Sequence, residues 1–306
     1  MIQSLTPDSA LFLTNLARIQ RRIDVAQRQV SSGYRLERAS DDPAAVVELL
    51  QLQVESDVNL QIQANLDREK SEVDIAARVI DNAVKLVERA AVLGTQASGS
   101  LQSAEKRLQI LEEVQGIHSQ LVAATQTVVN GRFIFSGDRD QTPAYRSNPS
   151  LEGGVERLQF SGATREVKEP GGTSFAVSRT AHDIFDDRDA SNNPTASNVF
   201  VAVQQLATGL QTNAPAVIDS AMQLIRDAAQ HLNSELSFYG VTQNRLAAAI
   251  STGQQYELQF RTRLSQIRDA DVVEAATELS QARLHQEATI AAQANNRPRN
   301  LFDYLG

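Results

Sequence analysis

Ser31-Ser32-Gly33-Tyr34-Arg35-Leu36-Glu37-Arg38-Ala39-Ser40-Asp41-Asp42-Pro43 separates two long helical patterns, and its residues divide the work of ending one helix and starting the next. Gly33 tolerates the left-handed conformation that closes a helix. Ser40, Asp41 and Asp42 offer oxygens to the free N–H groups of a new helix. Pro43 suits its first turn, where a missing N–H costs nothing. Outward from this joint, toward the N-terminus, Phe12, Leu16, Ile19, Ile23, Ala26 and Val30 recur in alternating four- and three-residue steps. That is a narrow heptad seam on a helix of roughly 30 Å, which cannot bury its stripe alone and calls for a partner.

Toward the C-terminus, Val47, Leu50, Val54, Val58, Ile62 and Leu66 begin an apolar pattern that continues through Val73, Ala76, Ile80, Ala83, Val87 and Ala90. No Gly or Pro intervenes before Gly94, which predicts one helix ~75 Å long, far beyond the globular mean. Gly94-Thr95-Gln96-Ala97-Ser98-Gly99-Ser100 reads as the turn after it. The next helix is expected from about Ala104, through Ile110, Val114, Ile117, Leu121, Ala124 and Val128, to a C-cap at Asn130-Gly131. Composition then changes. Val155 to Phe160, Thr164 to Lys168 and Ser174 to Val177 are strand candidates bounded by Gly or Pro, with Asp186 to Asn193 as a polar return loop. Helical periodicity resumes at Val199, restarts near Pro215, and ends with a helix over about Val272 to Ala294, closed by Pro298. The tail Leu301-Phe302-Asp303-Tyr304-Leu305 is more apolar than a free terminus needs, and a cover is expected.

Apolar residues make up 42% and aromatics 5%, with no Trp, so the expected core is Ala/Leu/Val packing between helices. A net charge of −8 with mixed signs along the chain argues against a nucleic-acid binder. No apolar run approaches the ~20 residues that span a bilayer, so no membrane insertion is expected. Residues 1–17 lack the basic segment and apolar block of a cleaved secretory signal. Zero cysteines exclude disulfides and thiolate metal sites. His118, His182, His231 and His285 show no metal-ligand spacing, and capping accounts for Asp41 and Asp42 better than a catalytic carboxylate pair does. No catalytic, cofactor or metal site is expected, and the chain reads as a non-enzyme.

The expected fold is mainly α: a long antiparallel helical rod, or coiled-coil bundle, formed by the N- and C-terminal halves, with a small β-rich inserted domain. Its divisions are 1–42, an N-terminal assembly helix and joint; 43–131, the first half of the rod; 132–195, the β-rich insertion; 196–266, the second half; and 267–306, a C-terminal assembly helix and tail. The N-terminal seam most simply pairs with the C-terminal helix.

Ser31 to Leu36 followed by Ser40-Asp41-Asp42-Pro43-Ala44-Ala45, with Ile267-Arg268-Asp269-Ala270-Asp271 and Ala275 to Leu279 at the other end, resembles the paired signatures of the bacterial flagellin family. The resemblance covers both helical ends and leaves the insertion unmatched. It implies a structural subunit of the flagellar axis, extracellular, exported without a cleaved signal and built in through its terminal helices. Gly131 to Gly137 with Thr142-Pro143, and the ending Leu301 to Leu305, are similar to the members that join hook to filament. Gly240 to Leu246 and the Gln293 to Pro298 run are similar to the filament-forming members. The junction role is the reading adopted, and a filament subunit is the alternative. A coiled-coil adaptor is a more distant one, disfavoured by the β insertion.

The implied partners are identical subunits, hook, hook-associated proteins and flagellin, with an export chaperone on the C-terminal tail. Phe12, Leu16, Ile19, Ile23, Val30, Val273, Leu279, Leu284, Leu301, Phe302 and Leu305 are expected at the assembly interface. Gly33, Asp41, Asp42 and Pro43 are expected to form the joint between an inner and an outer layer. Leu86 to Leu93 aligns with the family region that vertebrate innate receptors recognise; Glu88 and Ala90 stand where that pattern is basic, which argues against recognition here.

Overall fold

The computed structural model describes residues 7–38, 40–99 and 103–295. Helices dominate: α1 Pro7–Ser32, α2 Pro43–Ser98, α3 Ala104–Thr125, α4 Ala181–Phe185, α5 Val199–Gln211, α6 Pro215–Arg268 and α7 Val272–Asn295. Among the described residues six short strands form three antiparallel pairs: β1 Val128–Val129 with β2 Arg132–Phe133, β3 Tyr145–Ser147 with β4 Val155–Arg157, and β5 Glu166–Lys168 with β6 Ser174–Ala176. The chain forms two compact units. One takes in the described residues up to Val58 and from Tyr256 onward; the other is Asn59–Gln255.

In the larger unit α2 and α6 run antiparallel, marked by Asn59 Nδ2 donating to the Gly253 carbonyl (2.9 Å) and Gln243 Nε2 to Asp74 Oδ1 (2.8 Å). Their seam is made of residues that recur every three or four positions. Leu66, Val73, Ile80, Val87 and Ala97 on α2 and Ile218, Ile225, Leu232 and Leu246 on α6 are all buried. α3 and α5 close the core with Val114, Ile117 and Leu121 against Val203, Leu206 and Leu210. The predicted mainly-α architecture is thus present.

Three local expectations need correcting. α2 does not stop at Gly94 but passes through it to Ser98. A Cβ there would stand 2.1 Å from Met222 Sδ and 3.3 Å from Leu206 Cδ1, so this glycine serves close packing inside a helix. α3 ends at Thr125, and Asn130-Gly131, expected as its cap, turns β1 into β2 with both φ angles positive (51° and 77°). That is the Asn-Gly hairpin turn whose twist matches the flanking strands. Third, Val47, Leu50, Val54 and Val58 are exposed, and the packed positions at that end of α2 are Leu52, Ser56 and Asn59. Successive four-residue steps advance about 40° each around a helix. A stripe stepping by four therefore begins on the outer side and reaches the packed side only at Leu66.

The insertion is organised by charge. Asp186 is buried and accepts from Arg157 Nη2 (2.6 Å), Arg188 Nε (2.8 Å), Asn198 Nδ2 (2.7 Å) and the Tyr145 hydroxyl (2.9 Å). Burial alone would raise its pKa; the hydrogen bonds led by Arg157 outweigh that and hold it below the usual carboxylate range. Glu72 of α2 is likewise buried and paired with Arg132 (2.9 Å) and Arg165. Arg245 of α6 meets Glu169 at 2.7 Å and stacks 4.1 Å over the Phe175 ring. The strand candidates over 155–160, 164–168 and 174–177 are found, each shorter than expected, as β4, β5 and β6, whereas the short α4 was not anticipated. Thr180 and Asp183 close a capping box at its start.

Asp186→Ala leaves the half-buried Arg157 and Arg188 without their buried carboxylate and is expected to cost the larger unit ~3–5 kcal/mol. Urea unfolding followed by circular dichroism measures it; a loss under ~1 kcal/mol, the range of an exposed pair, contradicts the hub.

Candidate assembly surface

The smaller unit is built on the pairing of α1 with α7. Arg22 Nε meets Glu278 Oε1 at 2.7 Å, and Gln286 Nε2 donates to Gln20 Oε1 at 3.0 Å, so the two helices run antiparallel. On α1, Ile19, Ile23 and Ala26 are buried, with Phe12, Leu16 and Val30 half-buried along the same face. On α7 the facing residues are Ala275, Leu279 and Ala282. The seam is thin. The two buried isoleucines contribute at most ~1.5–3 kcal/mol each, little against the ordering of helices 26 and 24 residues long. An isolated pair of this kind is marginal.

The joint itself is a backbone clasp. Gly33 ends α1 with φ +74°, its N–H donating to the Gln29 carbonyl at 2.9 Å. Arg35 and Leu36 then donate their N–H groups to the Arg268 carbonyl (2.7 and 3.2 Å), and Ala270 donates to the Gly33 carbonyl (2.9 Å). Arg35 Nη2 reaches the Ile267 carbonyl at 2.8 Å, and the Arg268 guanidinium lies 4.3 Å over the Tyr34 ring. The linker between α1 and α2 is therefore bonded to the linker between α6 and α7. The first linker is legible in the sequence; Ile267 to Asp271 stands out there only as a family signature, and nothing in the sequence shows that the two meet.

The acidic residues of the joint have different tasks. Asp42 caps α2, accepting from the Ala45 N–H at 3.2 Å, with Pro43 as the first helical residue. Asp41 does not cap that helix; it accepts from the N–H groups of Arg38 (2.8 Å) and Glu37 (3.2 Å) and tightens the loop before it. Those backbone bonds hold its pKa below the ordinary carboxylate value. Asp271 caps α7 by accepting from Val273 (2.9 Å) and Glu274 (3.0 Å). A hydrogen bond from Ser265 lowers Asp269, and one from Arg22 lowers Glu278.

Val273 (77% exposed) and Leu284 (64%) lie on the outer side of α7, away from the seam with α1. With Leu11 (63%) and Ile290 they leave apolar surface open on both sides of the helix pair. Leu301, Phe302 and Leu305 fall outside the described residues. Among the described residues, no group of three or more acidic or histidine side chains could hold a metal ion, and no helix is long and apolar enough to cross a membrane. His118 and His231 each bond a backbone carbonyl, of Gly153 (2.7 Å) and Asp183 (2.8 Å), which are packing roles.

Comparison with known proteins agrees with this arrangement. The family model for the bacterial flagellin N-terminal helical region matches residues 7–140, and the one for the C-terminal helical region matches 222–305. Flagellin of Bacillus subtilis (strain 168) is 24% identical over 308 aligned positions, covering 96% of this chain and 97% of that protein. Among solved structures, a protein assigned as flagellar hook-associated in Vibrio parahaemolyticus superposes with a TM-score of 0.65 at 20% identity, over 75% of this chain and 100% of that one. Flagellar hook-associated protein-3 from Legionella pneumophila gives 0.60 at 15% identity, over 72% and 98%.

Two outcomes follow from the clasp. Gly33 has open space around it, so Gly33→Val suffers from its positive φ and not from a clash; the strain is of order 1–3 kcal/mol, whereas Asn tolerates that region. Amide exchange at 33–36 and 268–270 should accelerate in Gly33→Val and much less in Gly33→Asn; equal acceleration removes the conformational argument. Asp41, Asp269 and Glu278 have folded pKa values below their unfolded ones, so what they contribute is present above the unfolded values and lost as pH falls through the folded ones. The same amides should lose protection selectively on acidification below the ordinary carboxylate range, and Asp41→Asn should blunt the change. Protection that stays constant through that range contradicts the assignment.

Proposed function

Given that the chain belongs to the bacterial flagellin family, we propose that it is the hook-associated junction subunit of the flagellar axis, joining hook to filament. As a flagellar axial protein its role is structural. The observation that carries the junction reading is the superposition on hook-associated structures over essentially their whole length. The stretch Gly131 to Gly137 with Thr142-Pro143, similar to the members that join hook to filament, supports it from the sequence. Filament flagellin is the second reading, favoured by end-to-end similarity to the Bacillus subtilis protein.

In either role the subunit assembles through α1 and α7. Their thin seam and open outer faces suit a pair that neighbouring subunits complete, with Phe12, Leu16, Ile19, Ile23, Val30 and Leu279 supplying the inner contacts and Val273 and Leu284 the outer ones. Folding of the terminal helices is then coupled to assembly. Gly33, Asp41, Asp42 and Pro43 set the direction in which the chain leaves the terminal pair. Partners are identical subunits, hook, other hook-associated proteins and flagellin. An export chaperone covers the apolar tail, Leu301, Phe302 and Leu305 included, before secretion without a cleaved signal. The protein's location is then the external flagellum.

Immunogold labelling of intact flagella distinguishes the two roles. A junction subunit labels a narrow zone beside the hook, and the purified chain forms at most short assemblies. Label along the whole filament, with long polymers from the purified chain, overturns the junction reading in favour of the filament one.

A further inference from the structure

The α2 stripe that does not join the seam has its own chemistry. Val47, Leu50, Val54 and Val58 are 67%, 54%, 62% and 51% exposed. At about 100° per residue they share one narrow arc, opposite the buried Leu52 and Ser56. Ser56 donates to Glu257 of α6 (3.2 Å), so a polar residue holds the intrachain contact while the apolar residues stay outside. Glu48, Glu55 and Asp57 flank the stripe, and no Lys or Arg occurs between Pro43 and Gln61. Among the described residues none of these three carboxylates is ion-paired; Glu55 accepts only from the Gln51 amide (3.1 Å).

The opposite character is found on α1. Leu11 and Val25, 63% and 42% exposed, lie on one face with Arg18 and Arg21, beside a groove of 310 Å³ that Arg22 also lines. Arg22 is occupied by Glu278. Among the described residues neither Arg18 nor Arg21 meets a carboxylate, and Arg18 bonds only the Asn15 amide oxygen (3.3 Å). Leu11 to Val25 spans ~21 Å of helix and Val47 to Val58 ~16 Å, comparable lengths.

We propose that the arginine-flanked outer face of α1 in one copy docks on the carboxylate-flanked Val47–Val58 stripe of α2 in a second copy of this chain. Apolar residues meet at the centre and unpaired charges of opposite sign meet at the rim, the arrangement that fixes register and partner choice. The occupant is not the chain's own α1. That helix is engaged with α7, and the clasp between Gly33–Leu36 and Arg268–Ala270 fixes where it leaves the joint. The contact uses two different surfaces and is therefore heterologous, which propagates into a ring or helix and does not stop at a dimer. It rests on the self-assembly reading above and adds which faces meet.

The chain has no cysteine, so introduced thiols report this contact alone. Full-length chains carrying Val25→Cys or Val54→Cys are mixed under assembling conditions and treated with a short bis-maleimide, alongside each variant by itself. The expected result is several-fold more product from the mixture than from either variant alone, a several-fold drop with Arg18→Glu in the first chain, and recovery when the second carries Glu55→Arg. High salt should weaken the product, because the rim pairs are exposed. Circular dichroism of each variant checks that the helices are intact. No excess of mixed product while the unsubstituted chain still self-associates, into short or long assemblies, overturns the α1–α2 contact and leaves self-assembly standing. A link formed only within a single chain carrying both thiols assigns the stripe to the chain's own α1 and also overturns it. Absence of every assembly of the unsubstituted chain, short ones included, removes both readings.

Discussion

The backbone clasp between residues 33–36 and 268–270 is the constraint on which the smaller unit depends. These linkers are more than two hundred residues apart in sequence, yet three main-chain hydrogen bonds join them, and each has a helix end on either side. Closing so long a loop costs entropy that a thin helix seam would struggle to offset alone. Once the clasp is made, α1 and α7 leave from one point in opposite chain directions, and their register follows. Arg22 then faces Glu278, and Ile19 and Ile23 face Ala282.

The two units are stabilised differently. Asn59–Gln255 has a continuous core of Leu, Ile, Val and Phe closed by four helices, with buried charge hubs at Asp186 and Glu72. The unit made by the chain ends has few fully buried side chains and large apolar residues in the open, among them Val273, Leu284, Leu258 and Val47. Monomeric proteins rarely leave so much apolar surface uncovered without a partner. The carboxylates also respond differently to pH. In the smaller unit Asp41, Asp269 and Glu278 are held in their ionised forms by hydrogen bonds; the larger unit has both kinds, Asp186 lowered by its hydrogen bonds and Glu69 and Glu235 raised by burial.

Much of the architecture could be read from residue spacing because side-chain burial leaves a periodic trace. The seams from Leu66 to Ala90 and from Ile218 to Leu246 are of this kind, as are the Gly33 stop and the Asp42-Pro43 start. What escaped reading has physical reasons. The clasp is made by main-chain groups, which every residue carries, so no side chain announces it. Val47 to Val58 looks like more seam because its four-residue steps hide a gradual rotation, while the true packed positions there are polar Ser56 and Asn59. Gly94 resembles a turn signal because a close helix contact and a left-handed turn demand the same residue. Asn130-Gly131 suits a helix cap and a hairpin equally; the β-branched Val128-Val129 before it was the hint. Thr180 and Asp183, spaced as a capping box, could have announced α4.

The central claim is that the chain assembles through the helices its two ends contribute, while the larger unit folds independently of assembly. Deleting residues 1–32 tests this most directly, with sedimentation of polymers and urea unfolding followed on the same sample. The shortened chain is expected to lose the assemblies, short or long, that the full chain forms, yet to retain the cooperative unfolding of its Asn59–Gln255 unit. Assemblies that form as readily without α1 as with it would exclude this role for the terminal helices.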